Sequence, residues 1–282
     1  MNQTRQEPDR AAGPCEAYTH GYGRAPHQFM VRRTVETNAS FVLPHLRPGL
    51  AVLDCGCGPG SITLGLAERV APGRVVGIDI ADQQVAATRA PASEREVRNV
   101  RFERASVYDL PFPDGAFDLA FAHTVLEHLG DPLRALREMR RVVRPGGLVA
   151  VRDSDWATRI VEPYVPWVQR CFDLVARAME HNGGSPYYAR RQRALLLEAG
   201  FARTEGFAFT ECFGSREGTR YWGDGVADYL AGSALPDLFV GQRWLDRAEL
   251  DATIAALREW GERPDAYHAV LFCAALGWVP DG

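Results

Sequence analysis

Residues 52–60 read Val-Leu-Asp-Cys-Gly-Cys-Gly-Pro-Gly, and this stretch decides the fold class. The apolar residues that begin it are typical of a buried parallel strand, and residues 61–68 carry the apolar spacing of a helix. Glycines at alternate positions let the backbone turn sharply and leave no Cβ between the turn and a ligand. The amide N–H groups at the start of the helix point toward that ligand. The stretch therefore predicts a strand–turn–helix site for a nucleotide-like or adenosyl-containing molecule.

A second strand, predicted over residues 74–79, ends in Asp79. A carboxylate in this position can accept hydrogen bonds from both hydroxyls of a ribose. Dinucleotide-binding folds use the same contact, but their fingerprint requires a third glycine at position 61, where this chain has Ser61. Asp54, inside the turn, would repel a pyrophosphate and attract the ammonium group of an amino acid. The alternative role for Asp54 and Asp79 is helix capping.

Three further motifs follow in order. They are residues 106–118 (Ser-Val-Tyr-Asp-Leu-Pro-Phe-Pro-Asp-Gly-Ala-Phe-Asp), 123–129 (His-Thr-Val-Leu-Glu-His-Leu) and 141–147 (Arg-Val-Val-Arg-Pro-Gly-Gly). With the glycine turn and Asp79, they resemble the class I S-adenosylmethionine-dependent methyltransferases, especially the small-molecule enzymes of quinone and natural-product biosynthesis. The resemblance implies S-adenosylmethionine as cofactor and S-adenosylhomocysteine as product. It also implies an α/β fold with a Rossmann-like, doubly wound seven-stranded sheet of order 3-2-1-4-5-7-6, in which the last strand is antiparallel.

The chain divides into three parts. Residues 1–14 are polar and contain two prolines, which predicts a disordered tail. Residues 15–46 include apolar positions at helical spacing, and we interpret them as an N-terminal helical lid, as in similar methyltransferases. Residues 47–282 form the predicted core, whose alternating strands and helices require a parallel sheet with right-handed crossovers. Long aromatic insertions, at about 155–186 and 214–264, predict an inserted helical cap over the substrate.

The predicted strands are 50–54, 74–79, 100–104, 117–122, 147–152, 201–213 and 267–278. The predicted helices are 31–42 in the lid, 60–71, 81–90, 131–143 and 187–199 in the core, and 166–179, 217–231 and 246–260 in the cap.

The composition narrows the class of partner. A hydrophobic content of 46% and a charged content of 24% are those of an ordinary soluble globular protein. The net charge of −4 offers no electrostatic attraction to nucleic acid or to an anionic membrane. Neither a basic and apolar leader nor an apolar run of about 20 residues is present. We therefore expect a cytoplasmic protein with no nucleic-acid or membrane partner.

No metal is expected. Cys55 and Cys57 form a C-x-C pair without a second pair or a histidine at zinc spacing. Metal-dependent enzymes of the catechol type, which the family includes, need a carboxylate where this chain has His123. The enzymes of the family that methylate amino groups of nucleic acids carry an Asn/Asp-Pro-Pro-aromatic motif, which residues 123–126 lack.

The predicted cofactor contacts lie at the strand ends, in the loops after them and on the lid. Asp54, with the backbone of the glycine turn, is expected to hold the methionine moiety, and Asp79 the ribose with help from Gln83. By resemblance, residues 106 and 107 contact the adenine, with neutral Ser106 in place of the family's usual acid. His123 ends the fourth strand at the topological switch point, where the family often uses a backbone carbonyl near the cofactor. The predicted cofactor-binding set is Tyr18, Tyr22, Arg33, Asp54, Gly56, Cys57, Gly58, Asp79, Ile80, Gln83, Ser106, Val107 and His123.

His128 is the candidate catalytic base, because an imidazole near its free pKa accepts protons at neutral pH. Some similar natural-product enzymes place a catalytic histidine in this turn. The alternative is a structural histidine bonded to nearby backbone. On the lid, Tyr18, His20, Tyr22 and Arg33 are expected to touch the cofactor carboxylate or the acceptor; the alternative is packing of the lid against the sheet.

An aromatic pocket is expected to bind the acceptor. The predicted substrate-binding residues are His20, Asp153, Trp156, Tyr187, Tyr188 and Trp222, with Trp167, Phe172 and Phe209 nearby in the same pocket. So many aromatic residues around a long insertion indicate a flat or hydrophobic small molecule. The alternative is that they fill the core of the cap or form a dimer contact, and homo-oligomerisation stays open.

The sequence thus predicts transfer of a methyl group to a carbon or oxygen of a hydrophobic small metabolite. One alternative is a non-catalytic protein that binds S-adenosylmethionine and lacks an open pocket beside the sulfonium. Another is an NAD-dependent oxidoreductase, which Ser61 and Asp54 disfavour.

Overall fold

One mixed sheet of seven strands runs through residues 17–281, the part of the chain that this computed structural model describes. The strands are β1 (Ala51–Cys55), β2 (Arg74–Asp79), β3 (Val100–Arg104), β4 (Phe117–His123), β5 (Val143–Glu162), β6 (Arg203–Phe213) and β7 (Tyr267–Trp278). Their spatial order is 3-2-1-4-5-7-6, and β7 is antiparallel to both of its neighbours. The predicted fold class is confirmed. The predicted disordered tail, residues 1–14, lies outside the described residues.

The helices within residues 17–281 are α1 (Arg24–Val31), α2 (Val35–Asn38), α3 (Ser61–Val70), α4 (Asp82–Ala87), α5 (Arg89–Glu94), α6 (Pro132–Val142), α7 (Pro166–His181), α8 (Gln192–Glu198), α9 (Arg216–Gly232), α10 (Leu235–Gly241) and α11 (Arg247–Glu262). Short 3₁₀ turns occur at Leu43–His45, Leu126–His128 and Ala189–Arg191.

The central strands are apolar because helices cover both faces of the sheet. Leu53 on β1, Val76 on β2 and Ala120 on β4 are buried in one hydrophobic cluster, and Val52 and Phe121 are buried in a second cluster on the opposite face. β1 pairs in parallel with β2 and with β4. The carboxyl ends of these three strands therefore meet at one edge, where ligands bind in open α/β sheets.

The single lid helix predicted over 31–42 is wrong. α1 ends at Val31, and Thr34 begins a new helix because its Oγ1 accepts a hydrogen bond from the Thr37 amide at 3.2 Å. Of the four apolar positions that suggested one helix, Val35, Ala39 and Val42 are buried against the sheet, whereas Val31 is exposed. Their spacing therefore reflects burial on one side of a segment that is not a single continuous helix. The helix predicted over 81–90 is likewise divided into α4 and α5, with Pro91 in the first turn of α5.

β5 is much longer than the predicted strand 147–152. It pairs with β7 from Leu148 opposite Trp278 to Glu162 opposite Tyr267, with an irregularity between Ser154 and Arg159. The first insertion, predicted from about residue 155, therefore begins as strand, and its helix α7 starts only at Pro166. The apolar β7 supplies a pairing partner for residues 159–162, which a local pattern does not reveal.

The cap helices build a hydrophobic cluster of their own. Phe172 on α7, Trp222 on α9 and Trp260 on α11 are buried together with Phe239 of α10, a helix that was not predicted. The cap therefore has its own core, which packs against the outer part of β5 through residues such as Trp156 and Val161.

Within residues 17–281, no helix is both long enough and apolar enough to cross a bilayer.

Candidate active site

The glycine turn is fastened to the neighbouring strand. The amides of Gly56 and Cys57 donate to the Ile78 carbonyl at 2.8 and 2.9 Å, and the Gly58 amide donates to Asp79 Oδ2 at 3.0 Å. Gly56 has a φ of +74°, and a Cβ there would overlap the Val125 side chain. Glycine at position 56 is therefore required by the backbone conformation and by the packing around it.

A cavity of about 390 Å³ lies beside this turn, at the carboxyl ends of β1, β2 and β4. The predicted residues that line it are Tyr18, Tyr22, Arg33, Asp54, Gly56, Cys57, Gly58, Asp79, Ile80, Ser106, Val107, His123 and His128. The structure thus brings every predicted cofactor contact except Gln83 to one cavity, together with the candidate base. The segment predicted as a lid contributes part of the wall.

Gln83 is replaced in this cavity by its neighbour. Gln84 is buried and lines the cavity, whereas Gln83 is exposed. α4 begins at Asp82, and the turn of the helix directs Gln84 toward the sheet and Gln83 toward solvent. Met30 and Thr124 also line the cavity without having been predicted. Thr124 follows directly after predicted His123, but nothing in the local sequence marks Met30 at the end of α1.

Asp54 and Asp79 present carboxylate oxygens to the cavity. Asp54 Oδ2 accepts a hydrogen bond from Thr63 Oγ1 at 2.6 Å, and among the described residues no cationic side chain forms an ion pair with it. Burial raises the pKa of Asp54 to about 7, and the charge of Asp79 adds to the increase. An incoming ammonium group would stabilise the ionised form. Asp79 accepts from the amides of Gly58 and Ala81, which leaves lone pairs for two hydroxyl donors.

The lid side of the cavity carries a cation. Arg33 donates from Nη1 to Thr124 Oγ1 at 2.9 Å and forms no ion pair within the described part of the chain. The His123 imidazole is bonded to the Arg152 guanidinium, and burial with the charges of Arg33 and Arg152 lowers its pKa well below the usual value. The cavity therefore offers a carboxylate to bind an ammonium group, a guanidinium to bind a carboxylate, and carboxylate oxygens that can accept hydrogen bonds from the hydroxyls of a ribose. This set of groups fits S-adenosylmethionine.

His128 lies where the cavity meets the lid. Its ring makes edge contacts with Tyr18 and His20, with centroids 4.9 and 5.0 Å apart. Nδ1 has no hydrogen-bond partner among residues 17–281, and Nε2 is 3.7 Å from Glu127 Oε1. Burial and the neighbouring His20 and Arg33 lower the pKa of His128 well below its usual value. The imidazole is therefore neutral near pH 7.

A second cavity, of about 190 Å³, adjoins the first. The two share Tyr18, Met30 and Arg33 in their walls. The remaining residues that line the second cavity are His20, Pro26, Phe29, Trp156, Arg159, Cys171, Phe172, Val175, Trp222, Val226 and Tyr229. This aromatic cavity contains the predicted His20, Trp156, Phe172 and Trp222. His20 Nδ1 lies 2.8 Å from the Tyr229 hydroxyl, and burial lowers the pKa of His20 to about 4.

Asp153 does not line either cavity, so its predicted contact with substrate is wrong. It is buried beneath the turn that carries His128 and accepts hydrogen bonds from the amides of Val125 and Glu127 and from Gln192 Nε2. The alternation of side chains along β5 turns its carboxylate toward α8 and away from the cap. Asp153 holds the His128 turn in place.

Tyr187 and Tyr188 are also absent from the aromatic cavity. Tyr188 is buried in the main core cluster beneath the sheet, and Tyr187 is exposed beside Arg190. Both belong to the connection that leads to α8 on the opposite face from the cap. Trp167 and Phe209 lie outside the cavity as well: Trp167 stacks with Arg170, and Phe209 packs against Phe41.

The chain matches the family model of a methyltransferase domain over residues 53–151. It is 30% identical to a probable methyltransferase, ltbC, of Aspergillus luteorubrus, over 95% of this chain and 99% of that protein. The chain belongs to the class I S-adenosylmethionine-dependent methyltransferases. This membership favours S-adenosylmethionine over a nicotinamide dinucleotide as the ligand of the glycine turn.

Two other similar proteins have names that denote different reactions. A demethylmenaquinone methyltransferase of Listeria monocytogenes is 31% identical to this chain. The match covers 48% of this chain and 55% of the Listeria protein. The crystal structure of the [4+2]-cyclase SpnF superimposes with a TM-score of 0.50 at 25% identity, covering 91% of this chain and 81% of that one. The fold therefore serves proteins whose names denote different reactions.

Replacing Asp79 by Asn tests the ribose contact. The variant should weaken S-adenosylhomocysteine binding by roughly 1.5–3 kcal/mol, because hydrogen bonds to a charged acceptor are lost. Isothermal titration calorimetry measures the effect. Asp82→Asn is the matched control, since Asp82 is exposed one turn beyond β2 and should leave the affinity unchanged. Equal affinity in the Asp79 variant would refute the ribose contact.

The pKa of Asp54 predicts a pH dependence of cofactor binding. Below pH 7 the carboxyl is protonated and offers no charge to an ammonium group, so the affinity for S-adenosylhomocysteine should rise with pH. Between about pH 6 and about pH 8 the dissociation constant should fall by about tenfold. In Asp54→Asn, affinity should be lower and its pH dependence flatter. A variant that kept the full dependence would assign the titration to another group.

Proposed function

We propose that this methyltransferase moves the methyl group of S-adenosylmethionine to a carbon or oxygen of a hydrophobic small metabolite. The observation that carries the proposal is the common wall of the two cavities, formed by Tyr18, Met30 and Arg33. An acceptor in the aromatic cavity would lie directly against a cofactor in the larger one. The partial match to a demethylmenaquinone methyltransferase supports an acceptor of this general class.

The residues of the larger cavity would hold the cofactor. Asp54 would bind its ammonium group, Arg33 its carboxylate and Asp79 its ribose, while Ser106 and Val107 would contact the adenine. When bound, S-adenosylmethionine supplies a methyl group on a sulfonium. A nucleophile attacks the methyl carbon in line and displaces the sulfur. The protein's part is to orient the acceptor and exclude water. Tyr18 and Tyr22, whose rings pack 5.1 Å apart, provide the apolar closure on the lid side.

His128 would accept a proton from the acceptor. Its unpartnered Nδ1 and its place in the cavity wall leave the ring available to a ligand. Burial, with smaller contributions from His20 and the Arg33 charge, lowers the pKa of His128 and makes the imidazole a weak base in the free protein. Negative charge that develops on the acceptor would offset the Arg33 charge and strengthen the base at the moment of proton transfer.

The direct test is methyl transfer to a panel of acceptors. The protein, freed of bound ligand, is incubated with methyl-labelled S-adenosylmethionine and phenolic, quinone, terpenoid and indole compounds, and the products are analysed by mass spectrometry. An acceptor that gains the labelled methyl supports the proposal. The similarity to SpnF favours one second candidate, a protein that holds the cofactor and rearranges its substrate. That activity would give a product with the mass of the substrate and no label.

His128→Asn separates a catalytic from a structural histidine. The variant should lower kcat by about a hundredfold, within the range of general acid–base catalysis, and leave the dissociation constant of S-adenosylhomocysteine almost unchanged. His45→Asn is the matched control, because His45 packs on Trp278 at the opposite edge of the sheet. Unchanged turnover in His128→Asn would leave the histidine with a structural role.

A further inference from the structure

Arg159 enters the aromatic cavity from the extended part of β5. Its guanidinium carbon lies 4.0 Å from the centre of a Trp156 ring and 4.6 Å from the Phe172 ring. Nε is buried without a hydrogen-bond partner, and no carboxylate among residues 17–281 forms an ion pair with the side chain. A guanidinium carries five N–H donors, which all lie in its plane. Because the aromatic rings cover the faces of the Arg159 guanidinium, these donors can form hydrogen bonds only at its edge.

The acids whose charge acts on Arg159 are Glu127, Asp155 and Glu211, and none of them forms an ion pair with it among residues 17–281. Asp155 is already bound by Arg190, with two hydrogen bonds of 2.6 and 2.7 Å. Glu127 accepts from Ser154 Oγ at 2.8 Å, and burial together with the charge of Asp153 raises the pKa of this carboxyl. The raised pKa makes Glu127 a poorer counter-charge for Arg159 than an ordinary carboxylate.

The other titratable groups of the aromatic cavity do not supply a counter-charge either. Arg33 is a second cation in the wall, and His20 is neutral. Burial raises the pKa of Cys171 and of Tyr229, so both stay protonated and neutral. The cavity thus combines an apolar, aromatic lining with excess positive charge. Burying a guanidinium without a partner costs free energy, which a bound anion would offset.

We propose that Arg159 binds an anionic oxygen of a planar, conjugated acceptor, either a carboxylate or an ionised phenol or enol. The acceptor is thus an organic anion, and Arg159 is the residue that selects it. This inference rests on the proposed function, because it assumes that the aromatic cavity holds the acceptor. Planar oxyanions suit the guanidinium edge, and the flat ring behind the oxygen suits Trp156 and Phe172.

Chromophoric probes test the selection without turnover. Protein loaded with S-adenosylhomocysteine is titrated with 4-nitrophenol and 4-nitrobenzoate, and with the neutral counterparts 4-nitroanisole and methyl 4-nitrobenzoate. At least one anion should bind about tenfold or more tightly than its neutral counterpart, the scale of a charge-assisted hydrogen bond. If an ionised phenol is the ligand, bound 4-nitrophenol should also absorb as phenolate at a pH where the free compound is mostly protonated. If a carboxylate is the ligand, the preference should be confined to 4-nitrobenzoate.

Variants assign the preference to Arg159. Arg159→Gln should remove the preference for the anion and leave S-adenosylhomocysteine affinity unchanged, because Arg159 does not line the cofactor cavity. Arg159→Lys should retain part of the preference through its charge. Arg177→Gln is the matched control, since Arg177 stacks on Trp244 at 4.2 Å in the same manner but outside both cavities.

The outcomes separate this inference from the function on which it rests. Failure of the wild-type protein to bind S-adenosylhomocysteine would overturn the proposed function. Wild-type protein that binds it but shows no preference for either anion would overturn the role of Arg159 alone, whether or not Arg159→Gln folds. An anion preference that survives in Arg159→Gln, with S-adenosylhomocysteine still bound, would likewise overturn that role.

Discussion

The attachment of the glycine turn to β2 is the constraint on which the rest of the site depends. Two amides of the turn share the Ile78 carbonyl, and a third donates to the Asp79 carboxylate. Asp79 therefore fixes the loop and faces the cavity with the same side chain. Because Gly56 has no Cβ, the Val125 side chain from the loop after β4 packs against the turn. The Val125 segment leads directly into the turn that carries His128, so the shape of the cofactor cavity and the position of the candidate base are set together.

Two buried acidic residues, Asp153 and Glu127, stabilise the turn that carries His128. Asp153 accepts hydrogen bonds from the amides of Val125 and Glu127, and Ser154 donates to the Glu127 side chain. Backbone amides in a buried turn must be paired, and a carboxylate can accept more than one of them. Asp153 thus acts on the site through the turn and not by contact with a ligand. This arrangement fixes His128 between Tyr18 and His20, at the junction of the two cavities.

Local sequence was sufficient for the cofactor side of the site. The glycine turn and the strand that ends at Asp79 each depend on neighbouring residues, and each occurs where it was predicted. The error on this side, Gln83 in place of Gln84, is local too, because a shift of one residue in the start of α4 changes which side chain faces the sheet.

The acceptor side was less predictable because it depends on contacts between residues that are distant in sequence. Whether an aromatic residue faces the cap or the opposite face follows from the length of β5, and that length depends on pairing with β7 more than a hundred residues later. Arg159 is paired with Val270 of β7, and Trp156 lies in the irregular part of β5 just before it; both line the aromatic cavity, whereas Tyr188 is buried beneath the sheet. Composition predicted an aromatic pocket, but it did not reveal the cation inside it.

That cation gives the acceptor cavity an electrostatic character that a hydrophobic pocket alone lacks. Arg159 places positive charge beside a cavity whose proposed ligand is itself a sulfonium, so a neutral acceptor would leave like charges close together in an apolar environment. An anionic acceptor removes this repulsion and lowers the cost of burying Arg159. Where the anionic oxygen is itself the methylated atom, it carries no proton for His128 to accept, and its charge is lost in the product. Arg159 is then again without a counter-charge, and the affinity of the protein for the methylated product is lower than its affinity for the substrate. A single unpaired guanidinium can in this way favour substrate over product within an aromatic cavity.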